Sequence, residues 1–158
     1  MNIFYLHESP AIAATYMCDK HVIKMILESA QLLCTAHHEC PTNAKRPEKF
    51  YKKTHTNHPC AIWTRICTDN YKWLCDHATS LLNEYTHRYG KTHASTSVIT
   101  WCSHNTPQIP NGELTNIVQC MPNEYKTTNP VTAYRNYYNQ AKSHLHNWKN
   151  RPTPAWIN

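Results

Sequence analysis

Three long stretches of this chain carry their apolar residues at helical spacing. In the first, Val22, Ile26, Ser29, Ala30 and Leu33 fall on one side, widened by Ile23, Met25 and Leu27. Neither a glycine nor a further proline interrupts the chain from Pro10 to about His38. Ser9 followed by Pro10 reads as a helix start, with the serine at the cap and the proline where its missing N–H is not needed. Asp19 offers a cap for a second helix after a break near Met17 and Cys18. The next stretch begins near His58, with Pro59 in its first turn, and runs through Ile62, Trp63, Ile66, Trp73, Leu74, Ala78, Leu81 and Tyr85 to Gly90, a helix stop. The last begins at Asn129-Pro130, where Val131, Tyr134, Tyr138, Ala141, Leu145 and Trp148 recur at steps of three and four, to about residue 149.

Between these stretches the pattern dissolves. Asn2 to Leu6 is β-prone and predicts a short extended segment built into the fold. Residues 39–57 read as a loop, and residues 92–129, with Pro107, Pro110 and Pro122, as mostly loop with one short helix around Glu113 to Met121. The expected fold is mainly α: a single domain over residues 1–158, a bundle of about three long helices with long loops and a short N-terminal extended segment. Its expected core is Ile26, Leu33, Trp63, Ile66, Trp73, Leu74, Tyr138 and Leu145.

Composition narrows the function. With 158 residues the chain is long enough for a hydrophobic core without disulfides or a structural metal. Lys and Arg number 16 against 10 Asp and Glu, a formal net charge of +6, and so few carboxylates favour a polyanionic partner. Only two glycines are present, which excludes Gly-rich phosphate loops of the Rossmann or Walker kind. No apolar run approaches the ~20 residues of a membrane span, and MNIFYLHESP lacks the basic start and long apolar run of a signal peptide. A soluble protein of the cytoplasm, the host's if the source is viral, is expected, with no membrane partner and with its eight cysteines reduced.

Three constellations carry candidate chemistry. His21, Lys24, Glu28 and Gln31 form a polar stripe on the first long helix, able to do acid–base work if burial tunes the groups, or simply a solvated face with an i,i+4 pair. The loop ECPTNAKRPEKFYKKTHTN holds Lys45, Arg46, Lys49, Lys52 and Lys53 around Phe50 and Tyr51, and with Arg135, Lys142, Lys149 and Arg151 on or near the last helix it suits phosphates and unstacked bases, or is a solubilising surface loop. Finally, His37, His38 and Cys40, then His55, His58 and Cys60, flank that loop. Neither triplet has zinc spacing, although the two could converge if the loop folds back on itself, and no Cys-x-x-Cys occurs; no metal and no cofactor are expected.

The segments MNIFYLHESPAIAATYMCDKHVIKMILESAQLLCTAHH, THTNHPCAIW, NEYTHRYGKTH, QCMPNEYK and AYRNYY resemble, over nearly the full chain, a group of small uncharacterised bacteriophage proteins. More distantly, the first helix is similar to that of the phage pyrimidine-dimer DNA glycosylases of the endonuclease V type, small basic all-α proteins that are both glycosylase and abasic-site lyase. That family carries on its N-terminal helix an Asp, a His two residues later and a catalytic Glu nine residues after the Asp. Asp19, His21 and Glu28 stand at these spacings. The stretch from His58 to Lys91 is similar in apolar rhythm to the family's second long helix. The family's nucleophile is the N-terminal α-amine, which attacks C1′ of the damaged nucleotide and forms an imine; α-amines as a class titrate near 8. Family arginines immediately before and three after the Glu fall on Leu27 and Gln31, so that part of the DNA clamp is absent. The family removes Met to expose a threonine, whereas Asn2 is a poor second residue for that processing, and the amine expected here is that of Met1.

The resemblance implies a DNA glycosylase or abasic-site lyase acting on a damaged or modified base. Met1, Glu28 and His21 are its expected catalytic residues. Lys20, Lys24, Gln31, Lys45, Arg46, Lys49, Lys52 and Lys53 are expected to bind the substrate, DNA or a nucleotide. Glu28 would stabilise positive charge at C1′, with His21 and Lys24 tuning it or binding phosphate. The alternative is a non-enzymatic viral binding protein that sequesters a host factor or small nucleotide.

Overall fold

The computed structural model describes residues 1–158 and contains six α-helices and no strand. The break expected near Met17 is present. Helix α1 (Pro10–Tyr16) is capped by Ser9, whose side chain accepts from the N–H of Ile12, and α2 (Asp19–Glu39) begins after it. The N-cap of α2 is Cys18 rather than Asp19. Asp19 is unavailable for capping because its carboxylate accepts from Arg88 at 2.9 Å, from the Asn147 side chain at 2.6 Å and from the N–H of Lys149 at 3.0 Å.

The second predicted helix is divided into α3 (Pro59–Thr64) and α4 (Thr68–Tyr89). In an unbroken helix the Trp63 carbonyl would accept from the N–H of Cys67. Here the Asn70 side chain donates to it instead, at 2.9 Å. Gly90 ends α4 at φ 63°, a left-handed conformation open to glycine at little cost. The helix expected at residues 113–121 is absent, and α5 (Thr96–His104) forms where a loop was expected. Backbone groups of the 113–121 segment are engaged by α3 and α4 side chains: the N–H of Thr115 donates to Asn70, and Trp63 Nε1 donates to the Thr115 carbonyl. The last helix, α6 (Pro130–Ala141), is capped by Asn129 and stops short of residue 149, giving way to a 3₁₀ turn at Ser143–Leu145 and an irregular tail.

Only α2, with 21 residues, and α4, with 22, are long, so two long helices replace the expected three. They pack on each other, with α1 against α4, and α3 and α5 against both. The apolar core is one cluster of 34 buried residues that includes Ile26, Leu33, Trp63, Trp73, Leu74 and Tyr138. Leu145 packs only at its edge. Ile66 is 45 % exposed because it lies in the break between α3 and α4, and Ile23 and Leu27 on α2 face solvent as well.

Residues 1–6 are not a strand, yet Ile3, Phe4, Tyr5 and Leu6 are all buried. Phe4 takes φ 56°, an unusual value for a residue with a side chain, and the turn is held by Asn2 Oδ1, which accepts from the N–H groups of Ile3 and Phe4. A buried ionic network fixes the start of α2 to the rest of the molecule. Arg88, fully buried, donates to Asp19, to Glu84 and to the carbonyls of Thr15 and Met17 at the end of α1, while Arg151 from the tail reaches Glu84 at 2.6 Å. No helix is long and apolar enough to cross a membrane. All eight cysteines are unpaired thiols.

Candidate active site

His21, Lys24 and Glu28 recur at steps of three and four on α2 and therefore share one side. The N-terminal segment crosses that side. The amino nitrogen of Met1 lies 3.8 Å from Glu28 Oε2, and the N–H of Asn2 donates to the same oxygen at 2.9 Å. Lys24 Nζ stands 3.5 Å from Oε1. The Glu28 side chain is only 11 % exposed, whereas Lys24 is 67 % exposed, so Lys24 is a solvated partner reaching a carboxylate that is itself largely buried. These groups open on a cleft of about 260 Å³, whose wall also includes Phe4, Cys120, Tyr137 and Lys142.

His21 is held from two directions. Its Nδ1 lies 2.8 Å from the Tyr138 hydroxyl, and its ring stacks on Phe4 with centroids 4.4 Å apart. Burial pushes its pKa down to about 4, and the charges of Lys142 and Lys24 act in the same direction. It is therefore a neutral imidazole at pH 7. The positive side chains at the cleft are Lys24 and Lys142.

The other expected substrate-binding residues stand apart. Lys20 is exposed one turn before Lys24, and Gln31 is half-buried outside the cleft wall. The basic loop joins α2 at Thr35, where Thr54 exchanges two hydrogen bonds with the threonine side chain. Thr35 is seven residues, or about 10 Å of helix axis, beyond Glu28. In that loop Arg46 is turned inward, donating to the His37 carbonyl at 2.6 Å with its guanidinium 5.1 Å from the centre of the Phe50 ring. Its position is that of a packing residue, because the arginine satisfies the end of α2. Lys53 is paired with Glu39 at 3.0 Å, while Lys45, Lys49 and Lys52 are exposed.

Sequence reasoning missed the far wall of the cleft. Asn2, expected to begin the extended segment and to hinder removal of Met1, donates to the Cys120 carbonyl at 2.8 Å and accepts from the Tyr134 hydroxyl at 2.9 Å, which aims the amino terminus. Tyr138 was read as core, and it is, but its hydroxyl also holds His21. Lys142, expected among the basic residues on or near the last helix, lies at the C-cap of α6 and lines the cleft. A larger cleft of about 540 Å³ lies between Tyr5, Glu8 and the segments around residues 114–117 and 128–131, but it contains no amine, thiol or imidazole. The two His/Cys triplets do not meet; His58 and Cys60 instead come together with Cys120.

The model of one protein family, described as pyrimidine dimer DNA glycosylase, matches residues 1–97. No curated protein and no solved structure matches the chain. The matched part contains Met1, Asn2, His21, Lys24 and Glu28 as well as Arg88, whereas Cys120, Tyr137, Tyr138 and Lys142 lie beyond it. The match spans more than half of the sequence, and its first 28 residues carry the amine and the carboxylate that meet in the cleft. The chain thus belongs to the pyrimidine dimer DNA glycosylase family.

Proposed function

We propose that the chain is a DNA glycosylase with abasic-site lyase activity on a damaged or modified base, in which Met1 supplies the amine and Glu28 the carboxylate. The observation that carries this reading is the 3.8 Å separation of the two groups at a cleft lined by two lysines. The neutral amine gives its lone pair to C1′ while the bond from C1′ to the base breaks, and the base leaves with that pair and takes up a proton. Transfer of an amine proton and opening of the sugar at O4′ then yield the imine. Glu28 stabilises the positive charge that develops at C1′ and at the iminium nitrogen. In the lyase step it accepts the C2′ proton, and the 3′ phosphate departs with its C–O bonding pair. Lys24 and Lys142 hold the flanking phosphates, and Tyr137 offers a flat face to an unstacked base.

Borohydride reduces the imine to a stable protein–DNA adduct, so trapping on duplexes with abasic sites and pyrimidine dimers tests the reading. Glu28→Gln should lower adduct formation by roughly 10² to 10⁴-fold while fold and binding persist. One extra residue before Met1 should displace the amine by about 3.5 Å and also suppress the adduct. Undiminished trapping in both variants would remove this mechanism and leave a binding protein as the better description.

A further inference from the structure

The sequence Asn57-His58-Pro59-Cys60 takes no part in the chemistry above, yet it ends against the wall of the same cleft. Cys60 Sγ lies 3.5 Å from Cys120 Sγ, and the ligand atoms of His58, Cys60 and Cys120 all fall within 4.8 Å of one another. We propose that these three side chains bind one thiophilic divalent cation, zinc in the first instance, beside the active-site cleft, against the sequence-based expectation of no metal.

The geometry suits that ion. Two thiolates on a tetrahedral zinc, each at about 2.3 Å, stand roughly 3.8 Å apart, so the present sulfur pair needs to open by only a few tenths of an ångström. A disulfide would require the pair to close to about 2.05 Å. Nδ1 of His58 accepts from the N–H of Cys60 at 3.2 Å, the N-cap bond of α3, so a neutral imidazole there carries its proton on Nε2. A metal at Nδ1 takes the lone pair that accepts this bond, and the N–H of Cys60 gives the bond up when the ion binds. Cys120 is positioned independently of any ion: its N–H donates to the Tyr134 hydroxyl at 3.3 Å and its carbonyl accepts from Asn2 at 2.8 Å. Two thiolates balance the charge of a divalent ion, and sulfur with imidazole selects zinc over magnesium or calcium. Three protein ligands leave the fourth tetrahedral position to water or a bound group. Cys120 itself lines the cleft, so the ion would join the 105–129 loop to α3 next to the amino terminus.

The full chain, without a histidine tag and purified under reducing conditions without chelator, should contain about one zinc per molecule by elemental analysis. Cobalt(II) added to the metal-free protein should give a near-ultraviolet thiolate-to-cobalt absorption. Cys120→Ser and His58→Ala should each weaken zinc binding by at least about tenfold, and Cys40→Ser, outside the cluster, should not. Circular dichroism separates misfolding from ligand loss, as does a zinc-dependent rise in Tm that is present in the wild type and absent from Cys120→Ser. The proposal falls if neither zinc nor cobalt binds, if the cobalt band is unchanged in Cys120→Ser, or if mass analysis of the reduced preparation shows Cys60 and Cys120 joined as a disulfide. None of these readouts involves turnover, so they stand apart from the glycosylase reading.

Discussion

Replacing Arg88 by leucine tests whether the buried ionic network holds the start of α2. The guanidinium is fully buried and makes four kinds of contact: Asp19 at 2.9 Å, Glu84 at 3.0 Å, and the carbonyls of Met17 and Thr15 at 2.8 and 3.0 Å. Leucine fills part of the volume but leaves two carboxylates and two carbonyls short of a donor. Loss of one partner from a buried charged group costs about 3–5 kcal/mol, out of a total stability of about 5–15 kcal/mol. For a chain of this length each kcal/mol moves Tm by about 2–4 °C, so a fall of roughly 6–20 °C is expected at pH 7. Thermal unfolding followed by far-ultraviolet circular dichroism reads it directly. Burial alone would raise the Glu84 pKa, but the hydrogen bonds from Arg151 and the charge of Arg88 outweigh it and leave the group below its ordinary value of 4.5. A depressed carboxylate pKa contributes stability above the unfolded value that is lost as pH falls through the folded value. The gap between wild type and Arg88→Leu should therefore narrow below about pH 4. A loss under about 4 °C at pH 7, or a gap that widens in acid, would refute the assignment of Arg88 as the support of α2.

Asn2→Ala removes the side chain that aims the amino terminus and leaves the Cys120 carbonyl without its donor; a stability loss of about 1–3 kcal/mol in urea unfolding and a larger fall in borohydride trapping are expected, and unaltered trapping would show that Asn2 does not position the amine. His21 and His77 are both held neutral by burial, with pKa pushed down to about 4, so the folded state binds fewer protons than the unfolded one between pH 6.5 and 4. Stability should fall through that window as pH drops, by at most about 1.4 kcal/mol per pH unit per histidine, and His77→Gln should flatten the slope. The double change Leu27→Arg with Gln31→Arg puts two cations on α2 beside the cleft; affinity for duplex DNA should rise and its logarithmic salt slope steepen by about 0.9 for each phosphate contacted, whereas identical salt titrations would mean that DNA does not meet this face.

Local signals were enough for the caps at Ser9, Asn129 and Gly90, for the break before α2 and for the apolar faces of α2 and α4, because capping and helical periodicity are settled within a turn or two of chain. The spacing of Asp19, His21 and Glu28 was legible for the same reason. The division of α3 from α4, the exposure of Ile66 and the missing helix at 113–121 were not, since Asn70 decides them by bonding to Trp63 and Thr115, a residue 45 positions away. Nor could periodicity reveal that Asp19 is spent on Arg88, or that Arg46 turns inward. The cleft depends most on distance along the chain: Asn2 meets Cys120 across 118 residues and His21 meets Tyr138 across 117. Sequence by itself determined which residues could form helices and which polar groups lay on one helical face. The pairing of the Met1 amine with Glu28 was expected from the resemblance, but the tertiary structure alone decided that Asn2, Cys120 and Tyr138 build the surroundings of that pair and that His21 is neutral, because these follow from burial by segments whose approach no local pattern encodes.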